Sequence, residues 1–260
     1  MRFSILAGHL LFGVNLVSAT AIERTTSELV NSTACSNVHI LIARGTTESY
    51  PGSLSTLAEL ITANNKDTTY ENLVYPATDE TSTDSYHIGK TVVRKQLTSF
   101  VERCGHSDSK LVVLAYSQGA MVIADTLAGG GGDSTLGNMT DPISFDIGKH
   151  SKIAKFYAHG RGANRSDAVD ALVLYGDPRH APYQPYNQGL NTFNVTGKYP
   201  RAEFQVQHLT DNYGHMIHDF CNVGDPVCAS GSNITAHMVY PDIWDQTAAN
   251  WVQSVLEKAR

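Results

Sequence analysis

Residues 111–119 read Leu-Val-Val-Leu-Ala-Tyr-Ser-Gln-Gly, and they decide how the rest of the chain is read. An apolar, β-branched run stops abruptly at Ser117. A segment of small and helix-compatible residues, Gly119-Ala120-Met121-Val122-Ile123-Ala124, follows at once. A buried strand, a serine in the turn and a helix behind it form the layout of a nucleophile elbow. Such a turn holds the hydroxyl proud of the sheet edge. The helix N-terminus behind it offers N–H groups and a positive dipole end to a developing oxyanion. The G-x-S-x-G pattern stands here as Ala115-Tyr116-Ser117-Gln118-Gly119. Ala115 adds only a methyl, so close strand–helix packing survives. A five-residue match arises by chance, and the bland alternative is an ordinary strand–helix turn containing a serine. The apolar run before it favours the catalytic reading.

Working outward, Val38 to Ala43 reads as a buried strand ended by Arg44-Gly45, and Asn72 to Tyr75 as a short strand stopped by Pro76. Residues 53–63 carry Leu54, Leu57, Leu60 and Ile61 at helical spacing. Residues 86–103 carry Ile88, Val92, Leu97, Phe100 and Val101 on a long amphipathic helix. The helix after Ser117 stops in the glycine run 129–132, which reads as a helix stop with a flexible loop. Ala168 to Tyr175 is another strand, closed by Gly176-Asp177-Pro178. Residues 179–202 read as loop, Gln205 to Leu209 alternates as a last strand, and residues 243–259 form a C-terminal helix. Strands alternating with helices predict an α/β fold with a central parallel sheet covered on both sides. No internal repeat or domain boundary is visible.

The chain has 260 residues and a net charge of -6, with no basic cluster, so nothing points to nucleic acid as a partner. Arg2 followed by the apolar run Ile5 to Val17 and the small-residue site Val17-Ser18-Ala19 reads as a signal peptide over residues 1–19. The run is too short for a membrane anchor, and no other stretch approaches about twenty apolar residues. Residues 20–34 are then a short extension, and residues 35–260 a single domain. The sequons at Asn31, Asn138, Asn164, Asn194 and Asn233 agree with an extracellular protein and are candidate glycosylation sites.

Four cysteines in a secreted chain predict two disulfides, with three possible pairings. Cys221 and Cys228 flank Gly224-Asp225-Pro226 and suggest a local clamp, which leaves Cys35 with Cys104. A zinc site is the rival reading, but neither pair has C-x-x-C spacing.

A serine nucleophile needs a base and an acid that orients it. After Ser117 the histidines are His150, His159, His180, His208, His215, His218 and His237. His237 precedes the C-terminal helix, where a loop can return to the sheet edge. Asp177 and Asp225 are the candidate acids. A clamped loop holds a carboxylate rigidly, which favours Asp225, whereas Asp177-Pro178 also reads as a turn starter.

Three separated motifs resemble the cutinase and acetylxylan esterase family. They are Ala43-Arg44-Gly45-Thr46-Thr47-Glu48, Tyr116-Ser117-Gln118-Gly119, and Cys221 to Cys228 followed by His237. The resemblance spans roughly residues 35 to 258. It implies a compact, lidless α/β-hydrolase three-layer sandwich with Ser117, Asp225 and His237 as the triad. It further implies an oxyanion hole from the backbone N–H groups of Thr46 and Gln118, with the Thr46 hydroxyl as a third donor. That family commonly has serine where Thr46 stands. Arg44 and Glu48 would hold the loop.

The implied activity is that of a secreted, monomeric serine esterase acting on short acyl esters through an acyl-enzyme, without metal, cofactor or membrane. The segments 127–132, 176–178, 186–189 and 231–233 lean towards acetylxylan esterases and plant-wall xylan as substrate; the count of only four cysteines leans away. A cutinase acting on cutin-type polyesters is the alternative, and a catalytically inactive wall-binding protein is a further one. Tyr50, Tyr183, Tyr186 and Tyr213 would stack on sugars, line an acyl groove or simply pack their loops.

Overall fold

The computed structural model describes residues 35–79, 84–105, 107–143, 169–190 and 192–258. The expected signal peptide and extension, Asn31, Asn164, His150 and His159 lie outside these residues.

Among the described residues six strands form one sheet: β1 (Val38–Ala43), β2 (Thr68–Asn72), β3 (Lys110–Tyr116), β4 (Ala171–Tyr175), β5 (Asn187–Gln188) and β6 (Ile217–Phe220). Their order is β2-β1-β3-β4-β6-β5, and every pairing is parallel. The helices are α1 (Ser55–Asn64), α2 (Ser85–Cys104), α3 (Gln118–Ala128), α4 (Glu203–Tyr213), α5 (Ile234–Met238) and α6 (Tyr240–Lys258).

The apolar runs of β1, β3 and β4 are buried on both faces, as a parallel sheet between helices requires. Alternate residues feed two cores. Leu41, Val113 and Leu172 meet the helices α2, α3 and α4 on one face. Ile40, Val112 and Val173 meet α1 and α6 on the other. In α1 the buried Leu57, Ala58 and Ile61 make the inward stripe. The buried Asp245 of α6 accepts hydrogen bonds from Tyr175 Oη at 2.9 Å and from Thr56, tying α6 to β4 and α1. The result is a helix–sheet–helix sandwich of the α/β-hydrolase type.

Two sequence expectations, the strands at Gln205–Leu209 and Asn72–Tyr75, need correction. Gln205–Leu209 is not a strand but part of α4; Gln205, Leu209 and Tyr213 repeat every four residues on its buried side. The last strand of the sheet in chain order is β6, whose His218 and Asp219 interrupt the apolar signal. The strand expected at Asn72–Tyr75 lies earlier, at Thr68–Asn72. Leu73 and Tyr75 are buried just beyond it, with Leu73 N still donating to Ile42 O at 2.8 Å.

The glycine run stops α3 as expected, but it is pinned. Gly130 N donates to Thr140 Oγ1 at 3.1 Å, Gly131 N to Tyr86 Oη at 2.9 Å, and Gly132 N to Gly137 O at 2.8 Å. Both expected disulfides are formed, Cys35–Cys104 and Cys221–Cys228, which removes the zinc alternative for these cysteines. In the chain-entropy account, bridging the 69-residue separation contributes roughly 4 kcal/mol. Among the described residues no helix is long and apolar enough to cross a membrane.

Candidate active site

All strands run the same way, so the loops after β3, β4 and β6 emerge together at one edge of the sheet. Ser117 follows β3 with φ 53° and ψ -120°, a conformation L-residues rarely adopt. Ser117 N donates to Tyr175 O at 2.8 Å, which anchors the turn to β4. The side chain is half-buried and so within reach of solvent. Gly119 explains how α3 lies so close behind it: a Cβ there would sit 2.2 Å from Ala43 O. That contact draws the end of β1, and with it Thr46, to the flank of the turn.

His237 sits in α5, and its Nε2 is 2.9 Å from Ser117 Oγ. Its Nδ1 is 2.8 Å from Asp225 Oδ2. Because the carboxylate accepts at Nδ1, that nitrogen carries the proton and Nε2 is left to accept from the serine hydroxyl. Asp225 is fully buried inside the Cys221–Cys228 loop. Its Oδ1 accepts from Val227 N at 2.6 Å and Cys228 N at 3.3 Å, and its Oδ2 also accepts from Tyr240 Oη at 2.6 Å. Burial pushes the Asp225 carboxyl up, but the hydrogen bonds from His237, Tyr240 and Val227 outweigh it and hold the group below the usual carboxylate value.

The alternatives are placed elsewhere. Asp177 is buried against Arg201 Nη1 at 2.8 Å and accepts from Arg179 N at 2.8 Å. It belongs to an internal charge network in which Asp125 takes Arg179 Nη1 at 2.5 Å and Arg201 Nη2 at 3.1 Å. His180 pairs with Asp219 at 2.7 Å. His218 stacks on Trp251 at 3.8 Å on the α6 face, and burial pushes its pKa down to about 4. His208 lies in α4 and His215 in the turn after it.

Arg44 and Glu48 hold the Thr46 turn, as expected. Glu48 accepts from Gly45 N at 2.7 Å and Ser53 N at 3.0 Å. Arg44 donates to Tyr75 O at 3.0 Å, and its guanidinium lies 4.1 Å from the centroid of the Tyr50 ring. The Gln118 side chain, beyond its backbone, was not anticipated. Its Nε2 donates to Thr46 Oγ1 at 3.2 Å and Thr78 O at 2.7 Å, while Oε1 accepts from Ser85 Oγ at 2.7 Å. With its oxygen accepting from Gln118, the Thr46 hydroxyl keeps its own hydrogen for another acceptor.

Three further residues have roles at the site that the sequence does not signal. Tyr240 Oη accepts from Asn222 N at 3.0 Å while donating to Asp225. The Tyr116 ring stacks on His237 at 5.1 Å, and its hydroxyl donates to His237 O at 2.9 Å. Burial and the nearby Glu48 and Asp225 charges push that phenol up, so it remains a donor. Gly176 has φ 60°, and a Cβ there would lie 2.8 Å from His237 Cε1. The glycine closing β4 was a legible turn signal; its service to the imidazole was not. Of the four tyrosines expected in loops, Tyr213 instead ends α4 and is buried, Tyr186 is buried, and Tyr50 and Tyr183 are exposed. Asn138, Asn194 and Asn233 are exposed. Among the described residues no group of three His, Cys, Asp or Glu side chains is placed to hold a metal ion.

A parallel sheet between helices, with a serine, a histidine and a buried aspartate in hydrogen-bonded sequence at its edge, defines the α/β-hydrolase class of serine-hydrolase type. The Cutinase family profile matches residues 34–256, and the chain belongs to that family. It is 29% identical over 238 residues to Cutinase 11 of Verticillium dahliae, covering 88% of this chain and 72% of that protein. It is 28% identical over 238 residues to an acetylxylan esterase of Hypocrea jecorina, covering 88% and 70%. The catalytic core domain of acetyl xylan esterase from Trichoderma reesei superposes with a TM-score of 0.67 at 26% identity, over 85% of this chain and 99% of that one.

Proposed function

We propose that the protein is a secreted serine esterase that hydrolyses short acyl esters through an acyl-enzyme, with acetyl groups on xylan as its first substrate. The observation that carries this reading is the Ser117–His237–Asp225 relay, with links of 2.9 and 2.8 Å. His237 Nε2 takes the Ser117 proton as Oγ attacks the ester carbonyl carbon. The N–H groups of Thr46 and Gln118 hold the oxyanion, with the Thr46 hydroxyl as a third donor. Collapse expels the alcohol oxygen, which takes the proton from His237. A water then gives its proton to His237 and attacks the acyl carbon, releasing the acid and restoring Ser117. Asp225 stays ionised throughout, fixing the imidazole tautomer and stabilising the imidazolium.

The acetylxylan esterases among the relatives support acetyl as the acyl group, as do the sequence segments around the glycine run and Tyr186–Gly189. Secretion is supported by the N-terminal leader pattern and two disulfides. One observation favours the second reading, a cutinase. Ile234, His237 and Met238 share a face of α5, and Ile234, Met238 and Val223 are exposed. That apolar rim beside His237 suits a longer aliphatic chain.

The test is the hydrolysis rate on p-nitrophenyl esters from acetyl to palmitoyl, with acetylated xylan alongside. A sharp fall beyond acetyl with acetate released from xylan supports the first reading. A maximum at butyrate or longer without acetate release reverses the order.

A further inference from the structure

Asn138, Asn194 and Asn233 are the sequons within the described residues, and they are not equivalent. Asn138 lies past the Asp133–Gly137 bridge, beyond the C-terminus of α3. That end of the helix is about 16 Å along the axis from Ser117. Asn233, in contrast, caps α5, the helix that carries His237. Four residues separate them, about 6 Å of helical rise. Asn233 N donates to Gly224 O at 2.9 Å, and its Oδ1 accepts from Thr235 N at 3.1 Å. The residue is thereby fixed on the Cys221–Cys228 loop, next to the turn that supplies Asp225. Asn233, Ile234 and Thr235 are all exposed.

A second sequon converges on the same loop. Asn194 is exposed in the segment 192–199, which is stitched to the disulfide loop by Lys198 N to Val227 O at 2.8 Å and to the residues just after it by Ser230 Oγ to Thr196 O at 2.7 Å. Substitution on either asparagine would add bulk to the wall that carries two members of the relay.

We propose that Asn233 is N-glycosylated in the secreted protein, and that its glycan stands at the rim of the Ser117 site and restricts polymeric esters while admitting small ones. The donor class is an oligosaccharide linked to a lipid pyrophosphate. Asn233 Nδ2 forms a bond to the anomeric carbon, the bond from that carbon to the pyrophosphate oxygen breaks, and the pyrophosphate leaves with the electron pair. The amide proton passes to the transferase's base. The glycan is bulky and hydrated. Beside a half-buried serine it obstructs a chain that must lie across the rim, not an ester that enters end-on. The occupancy rests on the secretion proposed above, and the restriction on the esterase reading.

The test compares the wild-type protein from a glycosylating secretory host with Thr235→Val and Thr235→Ser. Thr235→Val deletes the sequon but keeps the backbone N–H that Asn233 caps; Thr235→Ser keeps both. Peptide mass mapping is expected to show a glycan on Asn233 in wild type and Thr235→Ser and none in Thr235→Val. p-Nitrophenyl acetate hydrolysis stays within twofold across the three. Acid release from acetylated xylan or an aliphatic polyester film rises at least threefold in Thr235→Val and in enzymatically deglycosylated wild type. An unmodified Asn233 in an active wild-type enzyme, or an unchanged polymer rate in both deglycosylated forms, overturns this inference alone. Inertness of all three towards every ester overturns the esterase reading and the restriction with it.

Discussion

Tyr240→Phe deletes one oxygen and leaves the ring, which stacks on Tyr175 at 5.3 Å. That oxygen donates to Asp225 Oδ2 at 2.6 Å and accepts from the buried Asn222 N–H at 3.0 Å. A hydrogen bond to a charged group contributes about 1.5–3 kcal/mol, and an orphaned buried N–H costs about 1–3 kcal/mol. Together they predict a loss of roughly 2.5–6 kcal/mol at pH 7 from these two bonds. The loss depends on pH with a definite sign. The folded Asp225 carboxyl is held below its usual value, so its ionisation stabilises the fold above the unfolded pKa, about 3.9. That contribution disappears as pH falls through the folded value. Losing the Tyr240 donor raises the folded value, so wild type and variant differ most at neutral pH and less in acid. Turnover behaves differently. The His237 Nδ1 bond to Asp225 remains, and a carboxylate with one donor fewer is, if anything, a better partner for imidazolium. The kcat/KM of Tyr240→Phe is therefore expected within tenfold of wild type, whereas Asp225→Asn loses about ten-thousandfold by fixing the wrong tautomer. Urea unfolding at pH 7 and pH 3, with esterase kinetics at pH 7, reads all three quantities. Equal stability of variant and wild type at pH 7, or an identical loss at both pH values, rules out this role for the Tyr240 hydroxyl.

Gly176→Ala puts a methyl 2.8 Å from His237 Cε1 at φ 60°; we expect about 1–2 kcal/mol of backbone strain by urea unfolding, with kcat on p-nitrophenyl acetate down more than a hundredfold and KM little changed. Arg179→Met leaves Asp125 with one fewer guanidinium in a buried network, and a loss of about 3–5 kcal/mol is expected in chemical denaturation; wild-type stability contradicts this. Replacing Cys221 and Cys228 together by Ala removes a short clamp that contributes about 2.5 kcal/mol in the chain-entropy account. Activity should fall at temperatures where circular dichroism is unchanged, and parallel loss of both contradicts a local role for the clamp.

The strands that position the site were legible because a parallel sheet buries both faces, so β1, β3 and β4 are continuous apolar runs. What failed has a physical cause. Five residues, Gln205–Leu209, cannot separate a period of two from one of 3.6. The buried Gln205 reads as polar although it accepts from Arg179 at 3.1 Å and donates to Gly129 O at 2.9 Å. Asp177 and Asp225 both precede proline, and only the expected clamp spoke for Asp225. Only the fold brings Arg201 to one and His237 to the other. Tyr240 was invisible as a partner of Asp225 because fifteen residues and a disulfide loop separate them.

Ser117 is the proposed nucleophile, and incubating the protein with an organophosphonate ester and mapping the adduct by peptide mass puts that role to the test. One phosphonyl group is expected on Ser117, with turnover of p-nitrophenyl acetate lost in proportion to labelling and absent from Ser117→Ala. Full labelling elsewhere, or hydrolysis that persists in Ser117→Ala, would contradict it.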